Sequence, residues 1–283
     1  MSSYLSFSAT PIEIFTAERR RIDSATGFFF GHGTGSVFLV TNWHVVTGRK
    51  PQKPAISERG GAIPVWATIK YHRFVGDGHY SPGAVDQLEF RLNDETGERP
   101  TWLEHPTYRN KADVVCIRLP KQYFDPDAPR VWRHLEESDF EITYRPKVMH
   151  DAFVIGYPWG LTGGGTALPI FKRGSVASEP AVPHRGLPRF LIDCRTAGGM
   201  SGAPVIGATS GLWGSGAGIS NSDIIGTVMG FIGVYSGRLE AEELDAFAEA
   251  QPAISEIGLV WRPEIVTEII TGGVSGRRLS ELT

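Results

Sequence analysis

The chain has 283 residues, 41% hydrophobic and 21% charged, with 28 Lys and Arg against 31 Asp and Glu and a net charge of −3. That balance describes a globular protein with ample core, and its scattered basic residues exclude a composition-driven nucleic-acid binder. No segment approaches the ~20 apolar residues of a membrane-spanning helix.

The opening stretch "MSSYLSFSATPIEIF" has no charged region leading into an unbroken apolar run, so no secretory signal is expected. Arg19 to Arg21 form the one dense basic patch and read as a solvated turn. From there short apolar runs follow one another: "GFFF", "SVFLVTN", "VWATIKY", "LEFRL", "DVVCIRLP", "FVIGY", "FLIDC", "APVIG", "DIIGTVMGFIGVYS" and "IGLVW". The chain's 34 glycines and 19 prolines punctuate them, which predicts an antiparallel β barrel or sandwich. "GHGTGS" (Gly31 to Ser36) lacks the lysine and following helix of a phosphate loop and predicts a hairpin turn. His72 and His79 lack ligand company at metal spacing, so no metal and no cofactor are expected.

A proline-rich, charged seam at 120–148 reads as a connector between two β halves. Helical periodicity is clear at two places, Glu240 to Ala250 and Pro263 to Ile270. Cys116 and Cys194 sit in apolar runs and read as reduced fillers, which with the missing signal predicts a cytoplasmic location.

The segment "TAGGMSGAPV" (Thr196 to Val205) places Ser201 among glycines at the end of an apolar run. A serine becomes a nucleophile only when a base takes its proton and a third group orients that base. All eight histidines precede Ser201, which removes the Ser–acid–His order of α/β-hydrolases. The Asp–His–Ser order would need Asp23, which follows three arginines and is a weak orienter. The order His, Asp, Ser remains. His44 stands in "SVFLVTNWHVV" directly after an apolar strand, where it is either a cleft base or a satisfied structural histidine. Asp113 opens "ADVVCIRLP", where it either accepts an imidazole N–H or caps a turn.

Together "TNWHVV", "ADVVCI", "FVIGYPWG…PIFKRGSVASEP" and "IDCRTAGGMSGAPV" resemble the trypsin-like, chymotrypsin-fold serine peptidases, most closely their bacterial cytoplasmic and stress-type branch. The likeness runs from about residue 20 to 272, and "GMSGAP" fits the family's G-x-S-G-x-P pattern. It implies an all-β fold of two antiparallel six-stranded barrels with a short C-terminal helix. The first barrel is expected at about 10–125, the second at about 149–262 and the helix at about 263–271. It implies His44 as general base, Asp113 as orienter, Ser201 as nucleophile, and the N–H groups of Gly199 and Ser201 as oxyanion donors. Activity is then expected to fall below about pH 6.5, as the base protonates.

"IGVYSGR" resembles the family's substrate-pairing strand. This implies Ser236 as a neighbour of Asp113 and Gly237 as a backbone contact for an extended peptide. Arg195, six residues before the serine, is a candidate for the base of a side-chain pocket that favours an acidic residue. Met200 stands where the digestive relatives carry the aspartate that pairs with a freshly cut N-terminus, so that activation route is not expected. The expected partner is a peptide or protein substrate, with no nucleic acid and no membrane, and with room for a protein that regulates activity. Two other readings stay open: a latent or partner-activated binding module on the same fold, and an esterase using the same three residues.

Overall fold

Val, Ile, Phe and Tyr dominate the apolar runs, and these become strands bounded by turn residues. The structure, a computed structural model, describes residues 4–33, 35–57, 59–74, 80–120, 134–136, 144–164, 166–213, 224–239 and 256–281. The expected helix at 240–250, most of the 120–148 connector and His79 lie outside them. Among the described residues no helix is long and apolar enough to cross a membrane.

The first half holds β1 (Ala9–Phe15), β2 (Arg21–His32), β3 (Ser36–Thr41), the one-turn helix α1 (Trp43–Thr47), β4 (Arg49–Lys50), β5 (Lys53–Ser57), β6 (Trp66–Phe74), β7 (Tyr80–Arg91), β8 (Trp102–Glu104) and β9 (Val115–Arg118). The second half holds β10 (Asp151–Gly156), β11 (Ile170–Val176), β12 (Arg189–Asp193), β13 (Pro204–Trp213), β14 (Ile224–Arg238) and β15 (Ile257–Trp261). Helix α2 (Glu264–Gly272) and β16 (Val274–Ser275) close the chain. The architecture is the chymotrypsin-like all-β arrangement expected from the sequence.

The two halves are not the matching pair of six-stranded barrels expected from the sequence. β10–β11–β12–β15–β14–β13 form a closed six-stranded barrel, with β10 pairing β13 to complete the ring. The first half is an eight-stranded sheet in the order β16–β8–β9–β3–β2–β1–β6–β7. One of the eight, β16, comes from the C-terminal segment and adds to β8 at Val274↔Glu104. The sheet curls so that Ile12, Ile14, Phe29, Leu39, Ile69 and Ile117 share one core with Trp43.

Period-2 alternation sends neighbouring residues to different cores. Phe29 and Leu39 face the curl, whereas Phe28, Phe30, Phe38 and Val40 face the second half. There they meet Tyr157, Ile206, Trp261 and the apolar face of α2, made of Ile265, Val266 and Ile269. The barrel encloses its own core of Val154, Phe190, Ile192, Val205, Ile232 and Val260. Each buried aliphatic or phenylalanine side chain contributes roughly 1.5–3 kcal/mol by leaving water, at the seam between the halves as in either interior. The "GHGTGS" stretch is a hairpin turn, with His32 paired to Ser36 and Gly33 and Gly35 at φ +62° and +75°.

Candidate active site

Strand β3 ends at Thr41, and Asn42 leads the chain into α1, which Gly48 stops in the left-handed conformation (φ +67°). His44 therefore stands on one tight helical turn beyond the strand, fixed by the burial of Trp43, Val45 and Val46 on either side of it. Asp113 precedes β9, which pairs with β3 through Thr41↔Val115. That register brings the two segments side by side. Asn42 Nδ2 donates to the Asp113 carbonyl at 2.6 Å and ties them together.

Asp113 is 4% exposed, and its carboxylate accepts three hydrogen bonds. The His44 main-chain N–H reaches Oδ1 at 2.9 Å, the His44 ring Nδ1 reaches Oδ2 at 2.7 Å, and Ser236 Oγ reaches Oδ2 at 2.6 Å. A carboxylate accepts only, so Nδ1 carries the proton of the neutral ring and the lone pair lies on Nε2. Ser236 gets its direction from a β-bulge: pairing with β15 slips between Tyr235↔Val260 and Gly237↔Leu259. Gly237 follows at φ +122°, a backbone conformation that favours glycine.

Ser201 belongs to the turn between Ala197 and Pro204, which is held at several points. Met200 is fully buried in the barrel core. The Gly198 carbonyl accepts from Trp159 N at 2.7 Å, and the Gly202 N–H donates to the Tyr235 carbonyl at 2.9 Å. Gly199 has φ +89°, and a Cβ there would stand 2.5 Å from the Tyr157 carbonyl oxygen. The glycine is demanded twice, by backbone conformation and by the close approach of the Tyr157–Gly160 segment. Among the described residues, the N–H groups of Gly199 and Ser201 donate to no protein acceptor.

Thr26 of β2 was not singled out by the sequence, yet it joins the halves at this turn. Its Oγ1 donates to the Gly199 carbonyl at 2.7 Å and accepts from Tyr157 N at 3.0 Å, while its N–H donates to the Ser201 carbonyl at 3.0 Å. The signal available was a polar residue inside the buried run "SATGFFF". Asn42, also missed, could have been noticed in the same way.

His44, Asp113, Ser201, Ser236 and Gly237 line one cleft of about 280 Å³. Beside it lies a second cavity of about 540 Å³, lined in part by Trp159, Lys172, Arg195, Thr196 and Glu256. Arg195 is in that second cavity, with its guanidinium 3.6 Å from Glu256. Arg238 lines both. Cys116 and Cys194 are free, and burial pushes both thiols up, away from the reactive thiolate.

The family model of the trypsin-like peptidase domain matches residues 25–214, well over half of the chain. The chain belongs to the trypsin-like peptidase family. The matched region contains His44, Asp113 and Ser201 and stops before Ser236 and Gly237. No curated protein matches the peptidase chain as a relative. A trypsin-like peptidase acts on peptides or proteins, and a cleft along an open strand suits an extended chain. β13 leaves β14 at Pro204↔Val234, so among the described residues Ser236–Arg238 have a partner strand on the β15 side only.

Proposed function

We propose that the chain is a serine endopeptidase that works through an acyl-enzyme on Ser201. The observation that carries this reading is the Asp113 carboxylate, bound by both nitrogens of His44 that face it and by Ser236, in the same cleft that Ser201 lines. His44 Nε2 takes the Ser201 hydroxyl proton as Oγ attacks the peptide carbonyl carbon. The charge that develops on the carbonyl oxygen is met by the N–H groups of Gly199 and Ser201. Collapse breaks the C–N bond, and the imidazolium returns the proton to the leaving amine. A water molecule, deprotonated by the same ring, then releases the acid product and restores the serine. Asp113 holds the ring in the tautomer that both steps need and stabilises its charged form. Met200, buried in the apolar core of the barrel, supports a nucleophile turn that is formed without N-terminal cleavage.

Fluorophosphonate labelling of the purified protein beside Ser201→Ala tests the proposal. A label that is present in the parent and lost in the variant supports a competent nucleophile. A folded parent that takes no label would count for the binding-module reading and against the enzyme.

A further inference from the structure

We infer that this cleft selects peptides with acidic side chains along the stretch lying over Ser236–Arg238, and that Lys111 and Arg238 read the charge. The inference rests on the peptidase reading of the same cleft and adds its substrate class.

The protein as a whole is slightly acidic, at −3. Its cleft has the opposite character, lined by Lys50, Lys53, Lys111, Arg189 and Arg238 against a single carboxylate, Asp113. That carboxylate is already engaged by His44 and Ser236. The neighbouring cavity adds Lys172 and Arg195 against Glu256. Arg195 is a poor reader of charge because Glu256 lies 3.6 Å away. Arg189 is buried, with its guanidinium 5.7 Å from the centre of the Trp261 ring.

Lys111 and Arg238 differ from these. Both are exposed in the cleft lining, and among the described residues neither pairs with a carboxylate. The Arg238 guanidinium also donates to the Thr196 carbonyl, which holds it in place before any ligand arrives. It sits on the strand whose edge, unpaired among the described residues, suits an extended peptide, and it lines both cavities. Side chains of an added strand alternate in direction, so acidic residues at alternate positions would face it. A cleft of one sign raises the local concentration of the opposite charge, and the same field rejects basic peptides.

The test uses the full chain carrying Ser201→Ala, so that binding is read without turnover. Three fluorescent ten-residue peptides, identical except for Glu, Gln or Lys at three alternate positions, are compared by anisotropy at low and high salt. The Glu peptide is expected to bind about tenfold tighter than the Lys peptide at low salt, with the gap closing as salt rises. Arg238→Glu and, separately, Lys111→Glu should narrow or invert that order, with Arg238→Gln intermediate. Equal binding of the three peptides, no binding of any, or an order untouched by both reversals in folded variants would overturn the inference. Loss of fluorophosphonate labelling in the parent speaks against the peptidase reading instead, so the two failures are told apart.

Discussion

Thr26 and Gly199 lie 173 positions apart, and the Thr26 hydroxyl donates to the Gly199 carbonyl at 2.7 Å. The same oxygen accepts the Tyr157 N–H, so one buried side chain ties the Ser201 turn and the segment after β10 to a strand of the first half. Thr26→Val keeps the shape and removes both bonds. The stranded Tyr157 N–H should cost about 1–3 kcal/mol, read as a fall in the urea midpoint. Turnover should drop further than that loss explains, with kcat affected more than KM, and Thr26→Ser should recover most of it.

Under the proposed chemistry, the adjacent glycines of the Ser201 turn should behave differently. At Gly199 a methyl group would stand 2.5 Å from the Tyr157 oxygen and 3.0 Å from Trp159 N, with φ at +89°. At Gly198 the nearest atom is 4.0 Å away and no left-handed conformation is required. Gly199→Ala is expected to lower kcat/KM by at least about a hundredfold, the scale of one lost oxyanion donor. Gly198→Ala should stay within a few fold of the parent in the same assay.

Under the proposed chemistry, Asp113→Asn should reduce kcat by about 10⁴-fold, because an amide can hold the ring in the wrong tautomer. Ser236→Ala deletes one of three hydrogen bonds to that carboxylate and should cost about tenfold in kcat/KM. Circular dichroism of both variants should match the parent. A Ser236→Ala enzyme with unchanged kcat/KM would remove Ser236 from the site.

A pH effect on stability, separate from catalysis, is expected at His150. Burial first, then the Lys147 charge, lowers its pKa from the ordinary value of 6.5, while Asp151 opposes them. Tyr144 O–H at 2.8 Å is accepted by Nδ1, which suits the neutral ring. The folded state thus binds this proton less well than the unfolded chain. His150 stabilises fully above pH 6.5, and that contribution is lost as pH falls through its own lower value. Between pH 8 and pH 5, the urea midpoint of the parent should fall more than that of His150→Asn.

His44, Asp113 and Ser201 were legible as candidates because each stands next to an apolar run, in an order that only some serine hydrolases use. Their roles were not legible from periodicity alone, since a strand-end histidine or a capping aspartate gives the same local pattern. Ser236 came through family resemblance. Its actual orientation depends on the bulge in β14, which no local rule of composition announces. For Arg195 the sequence could not announce its counter-charge, Glu256, which comes from a distant segment into the neighbouring cavity.

From the order of residues alone came the strand-rich fold, its hairpin at Gly31 to Ser36, the closing helix and the three candidates for chemistry. Burial on one face of a strand leaves a repeat of two in the chain, and nearest neighbours are enough to record it. Packing between distant segments decided the rest. It added β16 to the edge of β8, carried Thr26 to the Ser201 turn, and gathered Lys50, Lys111, Arg189 and Arg238 around one cleft. Such meetings depend on strand register and on how two curved sheets seat against each other, and those are properties of the folded whole.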